Sequence, residues 1–256
     1  MINSRKLLVS ILNKIYGCDI YCKPMYQLNK VLFFERSQHL MFLKQKHIRY
    51  EFDIQNKLRK IIKEGDVVFD IGANIGQYSL FFSELIGENG KLYSIEPDYN
   101  NFTFLQFNKR KNNCSNMICL NVGLGANKDK LTFYSDSISG GRTGSFIKEY
   151  VGKNWKGIRN EIQIITLDNL INDFGEPDFV KIDVEGFEIK VLEGLTHILN
   201  KTNFLIEVRS ETKDAVFNFF NDKNYECICV DNIKEFYCFE KNQIPDFANL
   251  VFKPRH

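Results

Sequence analysis

The sequence predicts an α/β protein with a doubly wound, mostly parallel sheet. Three stretches carry that prediction. The apolar run Val67-Val68-Phe69 ends in Asp70, and Gly72 and Gly76 then flank three residues before an apolar pattern at helical spacing. This reads as buried strand, tight turn and helix start. A second run, Leu92-Tyr93-Ser94-Ile95, ends in Glu96 about 25 residues after Asp70, near the spacing at which the second strand of a βαβ unit presents an acid. In the third, Phe179, Val180 and Ile182 form a run with Asp183, Glu185 and Glu188 crowded at its carboxyl end beside Gly186. Open α/β sheets bind their ligands outside that end of the strands.

The elements follow in order. Residues 1–48 read as an N-terminal extension that could cover the substrate side of the core, and 49–256 as the main domain, with no internal repeat to divide it. Leu7, Leu8, Ile11, Leu12 and Ile15 share one helical face, suited to docking on the core or to a peripheral membrane contact. Phe52, Ile54, Leu58, Ile61 and Ile62 give a further helical stripe. The helix after the glycine turn carries Tyr78, Leu80, Phe81, Phe82, Leu85 and Ile86, and Gly87 closes it. Pro97 and Asp98 open the next helix, packed by Phe102, Phe104 and Leu105; its end at Lys109-Arg110-Lys111 is solvated and faces the negative pole of the helix dipole. Strands are expected at Met117–Leu120, Lys130–Ser135 and Phe204–Val208, then a helix over Ala215–Phe220 and a hairpin pairing Cys227–Val230 with Phe236–Phe239. Pro245–His256 reads as an irregular packed tail.

Composition excludes several classes of function. The 256 residues are 44% hydrophobic and 26% charged with a formal net charge of +2, an ordinary globular balance without the basic clustering of a nucleic-acid footprint. No run approaches the length that spans a bilayer, and the N-terminal residues lack a cleavage site. The seven cysteines form no C-x-x-C pair and the four histidines show no metal-ligand spacing, as in a reduced, cytoplasmic protein. Cys227 and Cys229 read as small buried apolar residues on one strand face.

The turn itself narrows the ligand. A dinucleotide fingerprint would place glycine where Asn74 stands, so that a pyrophosphate could approach the backbone. Asp70 at the strand end suits an amino-bearing or cationic ligand better than a second anion. S-adenosylmethionine fits both points, with an ammonium for Asp70, a carboxylate for the helix start at Tyr78 and Ser79, and a ribose for Glu96. The same turn also permits a plain strand-turn-helix that Asp70 merely caps. Asn121, after the third strand, stands either near the adenine or as an ordinary turn residue.

If the chain stays extended past Ile182, Asp183 and Glu185 face the same way, and crowding raises their proton affinity toward that of a general base. The competing reading leaves Glu185 and Glu188 at a helix start, favoured by its dipole. Glu207 and Arg209 fall near the same rim. The polar loop Ser139-Gly140-Gly141-Arg142-Thr143-Gly144-Ser145 has the make-up of a lid, in which Arg142 could hold an acidic substrate group; Trp155 could stack on a sugar ring.

Phe69-Asp70-Ile71-Gly72-Ala73-Asn74-Ile75-Gly76, Glu96-Pro97, and Lys181-Ile182-Asp183-Val184-Glu185-Gly186-Phe187-Glu188 followed by Val191-Leu192-Glu193-Gly194 stand in this order. Together they resemble the FkbM family of S-adenosylmethionine-dependent methyltransferases over about residues 50–240. The resemblance implies a Rossmann-like class I methyltransferase fold, with a seven-stranded sheet whose last strand is antiparallel, and methyl transfer usually to a hydroxyl oxygen. In that picture Asp70, Gly72, Asn74 and Gly76 cradle the methionine part, Glu96 takes the ribose, Asn121 lies near the adenine, and Asp183 and Glu185 face the sulfonium and the acceptor. A divalent metal at Asp183 and Glu207 is compatible with carboxylate chemistry, though no spacing requires it. The expected activity is O-methylation of a sugar or glycan-precursor hydroxyl in the cytoplasm. A nucleotide-sugar oxidoreductase using NAD and a non-catalytic methyltransferase-like binding module are the competing readings.

Overall fold

The computed structural model describes residues 20–35, 39–135, 144–151, 157–197, 199–231 and 235–255. Strands β1 (Ile20–Pro24) and β2 (Val31–Glu35) form an antiparallel hairpin, followed by helices α1 (Leu40–Leu43) and α2 (Phe52–Leu58). The alternating core comprises β3 (Val67–Ile71), α3 (Gln77–Leu85), β4 (Lys91–Ile95), α4 (Tyr99–Lys111) and β5 (Met117–Leu120). Short strands β6 (Gly123–Leu124), β7 (Asp129–Ser135), β8 (Gly144–Ser145) and β9 (Ile158–Ile165) precede α5 (Leu167–Phe174), β10 (Phe179–Ile182), α6 (Glu188–Glu193) and β11 (Asn203–Arg209). The chain closes with α7 (Lys213–Asn221), β12 (Tyr225–Cys229), β13 (Phe236–Cys238) and β14 (Phe247–Pro254).

The main sheet runs β13-β12-β14-β11-β10-β3-β4-β5. β10 is parallel to both β3 and β11, and β3-β4-β5 continue in parallel, so their carboxyl ends share one rim. The strand order reverses between β3 and β10, which opens a crevice there. This is the Rossmann-like fold the sequence predicts, with β13 as an eighth strand paired to β12 at one edge. The last strand is indeed antiparallel, inserted between β11 and β12.

That strand corrects the expected irregular tail. Ala248, Leu250, Val251 and Phe252 are buried, and the run lacks polar alternation because both faces of a central strand are covered. A second difference is the four-stranded sheet β6-β9-β7-β8. Only β7 was expected as a strand. β9 carries Arg159, Asn160, Glu161 and Gln163 among its isoleucines, a pattern that masks a strand with only one apolar face.

Two cores sandwich the main sheet because strand residues alternate between its faces. Val68, Leu92, Met117, Phe179, Leu205 and Val251 pack with α2, α3 and α4; Phe69, Ile71, Tyr93, Val180, Ile182, Phe204 and Phe252 pack with α5, α6 and α7. The described part of the N-terminal extension joins the first core through Ile20, Leu32 and Phe34. It is tied to α4 by backbone bonds to side-chain amides: the Val31 N–H donates to Asn112 Oδ1 at 2.7 Å and the Phe33 N–H to Asn108 Oδ1 at 2.8 Å. Among the described residues no helix is long and apolar enough to cross a membrane. Cys227 and Cys229 are both buried as expected, with Cys238 directly across from Cys227. The stripe from Leu7 to Ile15 lies outside the described residues.

Candidate active site

A cleft opens over the carboxyl ends of β3, β4 and β10, with about 840 Å³ of open space including its mouth. The strand ends supply Asp70, Gly72, Ala73, Asn74, Glu96, Lys181, Asp183 and Glu185, while Phe133, Gly144 and Phe146 of the second sheet close the opposite wall.

The turn after β3 is held by its own backbone. The N–H groups of Gly72 and Ala73 both donate to the Ile95 carbonyl at 3.0 Å, and the Asn74 N–H donates to Glu96 Oε2 at 2.8 Å. Asn74 takes a left-handed φ of 50°, which asparagine tolerates, and its Oδ1 accepts from the Ile75 N–H. Gly72, with φ of 80°, is required by the protein itself: a Cβ there would run into the Asp183 carbonyl oxygen of the neighbouring β10 end. Gly76, with φ of 99°, starts α3 and gives it no side-chain cap. The first N–H groups of that helix are thus left for another acceptor, and Gln77 and Tyr78 line the cleft beside them.

The acids at the rim differ in their partners. Asp70 is fully buried; Oδ2 accepts from Ser79 Oγ at 2.5 Å, whereas Oδ1 has no hydrogen-bond partner. Burial pushes its proton affinity up, and Lys181 opposes that. Glu96 is 4% exposed and accepts from the N–H groups of Asn74 and Asp98. Burial still pushes its carboxyl up to about 8. Ser79 and Gly76 support the turn from behind rather than lining the cleft, and so does Asn121, whose amide donates to the Glu96 and Pro97 carbonyls at 2.9 and 3.0 Å.

Lys181 is the centre of the other side. It is buried, and its Nζ donates to Asp183 Oδ2 at 3.0 Å and sits 4.9 Å from the Tyr78 ring centroid. Burial works against its charge, but Asp183 and Asp70 outweigh it and hold the ammonium above its ordinary value. Beyond it, Arg209 donates to Glu185 Oε2 at 2.6 Å and to Glu207 Oε1 at 3.2 Å. Burial, then the neighbouring carboxylates, raise the proton affinity of both Glu185 and Glu207. Glu188 Oε1 accepts from the Gly186 N–H at 2.8 Å, and burial pushes that carboxyl up to about 7.

The chain does not stay extended past Ile182. Glu185 has a φ of 50° and Gly186 of 91°, so the strand breaks into a turn before α6. Asp183 and Glu185 reach the same cleft by that turn, not by strand alternation. The aromatic wall and the Tyr50-Glu51 corner escaped the sequence reading. Tyr50 lines the cleft, and Glu51, at a left-handed φ of 42°, accepts from Tyr78 Oη at 2.6 Å. The signal that could have found them is an acid and a tyrosine beside an apolar helical stripe, which many surface helices share. Arg142 and Trp155 lie outside the described residues. Among the described residues no group of three His, Cys, Asp or Glu side chains is arranged to hold a metal ion.

A crevice at the switch point of a Rossmann-like sheet, floored by a glycine turn and rimmed with buried acids, lies where open α/β sheets take their ligands. The chain belongs to the FkbM methyltransferase domain family, whose model matches residues 70–227. It is also 29% identical over 161 residues to the hexuronic acid methyltransferase AglP of Haloferax volcanii, an alignment that spans 62% of each protein. Among solved structures it is similar to an FkbM methyltransferase from Methylobacillus flagellatus, at 18% identity and a TM-score of 0.47 over 73% of this chain and 43% of that one. A precorrin-6y C5,15-methyltransferase from Geobacter metallireducens gives 14% identity and a TM-score of 0.49 over 83% and 90%.

Proposed function

We propose that the chain transfers a methyl group from S-adenosylmethionine to a hydroxyl of a sugar or glycan precursor. The observation that carries the reading is Asp70 Oδ1, a buried carboxylate oxygen without a partner at the floor of the cleft. Such an atom calls for a donor from a ligand, and an ammonium supplies it. The uncapped start of α3 suits the cofactor's carboxylate, and Glu96 suits ribose hydroxyls. Lys181 is already engaged by Asp183 and Arg209 by Glu185 and Glu207, so among the described residues neither cation is left over for the pyrophosphate of NAD.

Bound there, the cofactor would supply an electrophilic methyl on its sulfonium. Asp183 and Glu185 would orient the acceptor hydroxyl toward it and accept the proton released as the oxygen–methyl bond forms. Lys181 holds Asp183 in place; Phe133 and Phe146 keep water from that side. The name of the Haloferax volcanii relative makes hexuronic acids the acceptors to test first. The six cysteines among the described residues are free thiols, which supports a reducing, cytoplasmic setting. The division into an extension over 1–48 and a catalytic domain over 49–256 belongs to the same proposal, with the extension acting as a buttress for α4.

Calorimetric titration with S-adenosylmethionine, S-adenosylhomocysteine and NAD tests the cofactor. Binding of the first two, lost in Glu96→Ala, is expected; NAD binding in their place would overturn the reading. Asp183→Asn should leave cofactor affinity nearly unchanged while turnover of labelled methyl falls about 10²-fold or more. Full turnover in that variant would remove Asp183 as the base.

A further inference from the structure

A second, shallower groove lies beside the cleft, lined by Glu149, Tyr150, Arg209, Glu211, Asp246 and Phe247. Arg209 lines the groove and its Glu185 partner lines the cleft, so one ion pair stands between the two. The Arg209 guanidinium stands 5.8 Å from the Tyr150 ring centroid and 5.4 Å from that of Phe247, and so bridges two aromatic rings. Phe247 is 52% exposed at the first position of β14, opposite Arg209 in register. Phe247 thus presents a half-exposed ring at the mouth of the groove, with the Arg209 guanidinium as its neighbour. Tyr150 lies against Gly186, where a Cβ would strike its ring, so the groove floor is joined to the turn that carries Glu185.

Charge restricts the occupant. Three carboxylates, from Glu149, Glu211 and Asp246, face one guanidinium, and that guanidinium already serves Glu185 and Glu207. Lys213 beside the groove is likewise engaged, by Asp246 at 2.7 Å and by the Ile244 carbonyl. Asp246 is thus offset by Lys213, and Glu149 and Glu211 carry the remaining charge of the groove, which would repel an anionic ligand. A ring with an apolar face and hydroxyl or amino donors at its edge would stack on Phe247 and Tyr150 and donate to the carboxylates.

We propose that this groove is a binding subsite for a non-anionic sugar unit adjoining the one that is methylated, so that the acceptor is at least a disaccharide. The inference rests on the sugar-acceptor reading above and makes it more specific. Cellobiose, its diamino analogue chitobiose, and the analogue with a carboxylate on both units share one shape and differ in charge, and glucuronic acid alone shows what the cleft itself accepts. Each is titrated into the full chain saturated with S-adenosylhomocysteine, with saturation-transfer NMR as the readout. Cellobiose and chitobiose should bind, and the doubly acidic disaccharide should gain nothing over glucuronic acid alone. Phe247→Ala should weaken the two binders about fivefold while leaving S-adenosylhomocysteine affinity unchanged, which also shows that the variant is folded. Glu211→Lys should let the doubly acidic disaccharide bind more tightly than glucuronic acid alone. Equal binding by Phe247→Ala, a doubly acidic disaccharide that outbinds glucuronic acid in the wild type, or no binding of either cellobiose or chitobiose would overturn the subsite. Failure of S-adenosylhomocysteine to bind would instead overturn the methyltransferase reading, since disaccharide binding is measured separately and also without it.

Discussion

The two halves of the cleft are built by different means. At the β3 and β4 ends the acids are held by backbone: Glu96 accepts from Asn74 and Asp98, and Asp98 in turn accepts from Asn100 and Asn101 at 2.9 Å. At the β10 and β11 ends they are held by side-chain cations, Lys181 for Asp183 and Arg209 for Glu185 and Glu207. Backbone donors have fixed directions and do not rearrange without unfolding a turn, whereas ion pairs can exchange partners when a substrate arrives. A rigid half suits a constant cofactor and an exchangeable half suits a variable acceptor. The left-handed residues near the cleft differ as well: Asn74 in the first half is of a type that tolerates that region, whereas Glu51 and Glu185 in the second carry backbone strain.

The largest effect should come from the place where the halves touch. Gly72→Ala drives a Cβ into the Asp183 carbonyl at a positive φ, and a stability loss of about 3 kcal/mol in urea denaturation is expected, with cofactor binding lost. A variant that kept both would show that the contact between the two strand ends can relax. Next in size, Lys181→Met strands Asp70 and Asp183 without their buried cation, at a cost of about 3 kcal/mol. The exposed pair of Lys190 with Glu193 serves as contrast, since Lys190→Ala should change stability by less than about 0.5 kcal/mol. Equal effects in these two variants would remove Lys181 as the organiser of the β10 side.

A further effect is read by pH. Between the ordinary carboxylate value near 4.5 and about 8, the folded ligand-free chain keeps a proton on Glu96 that the unfolded chain has lost. Stability from this group is therefore full below that window and falls as pH rises through it. Glu188 adds the same sign up to about 7. Melting curves at pH 5 and pH 8 should show the loss, and Glu96→Gln should flatten it. A wild type that gains stability toward pH 8 would contradict the buried, protonated Glu96.

Legibility follows the same division. Asp70, Glu96 and Asp183 stand where strand runs end, so the pattern of apolar residues places them on one rim before any coordinate is known. The reason for Gly72 was not legible in this way: its neighbour Asp183 lies more than a hundred positions along the chain, and only strand pairing brings the two together. The sequence leaves Asn121 open between the adenine and an ordinary turn, and puts Ser79 at the helix start that would meet the ligand. In the folded chain the Asn121 amide donates to the Glu96 and Pro97 carbonyls and the Ser79 hydroxyl to Asp70. β14 read as a tail because continuous apolar character without turn signals suits packed coil and buried strand alike.

The sequence by itself determined the alternating sheet and helices, the acids at the strand ends, and the family, because these follow from periodicity and from short motifs within single βα units. The tertiary structure decided which acid receives which cation, how Tyr50 and Glu51 reach Tyr78, and where the last strand inserts. Those contacts join segments distant in the chain, and their energies depend on burial and mutual distance, quantities that exist only once the chain has folded.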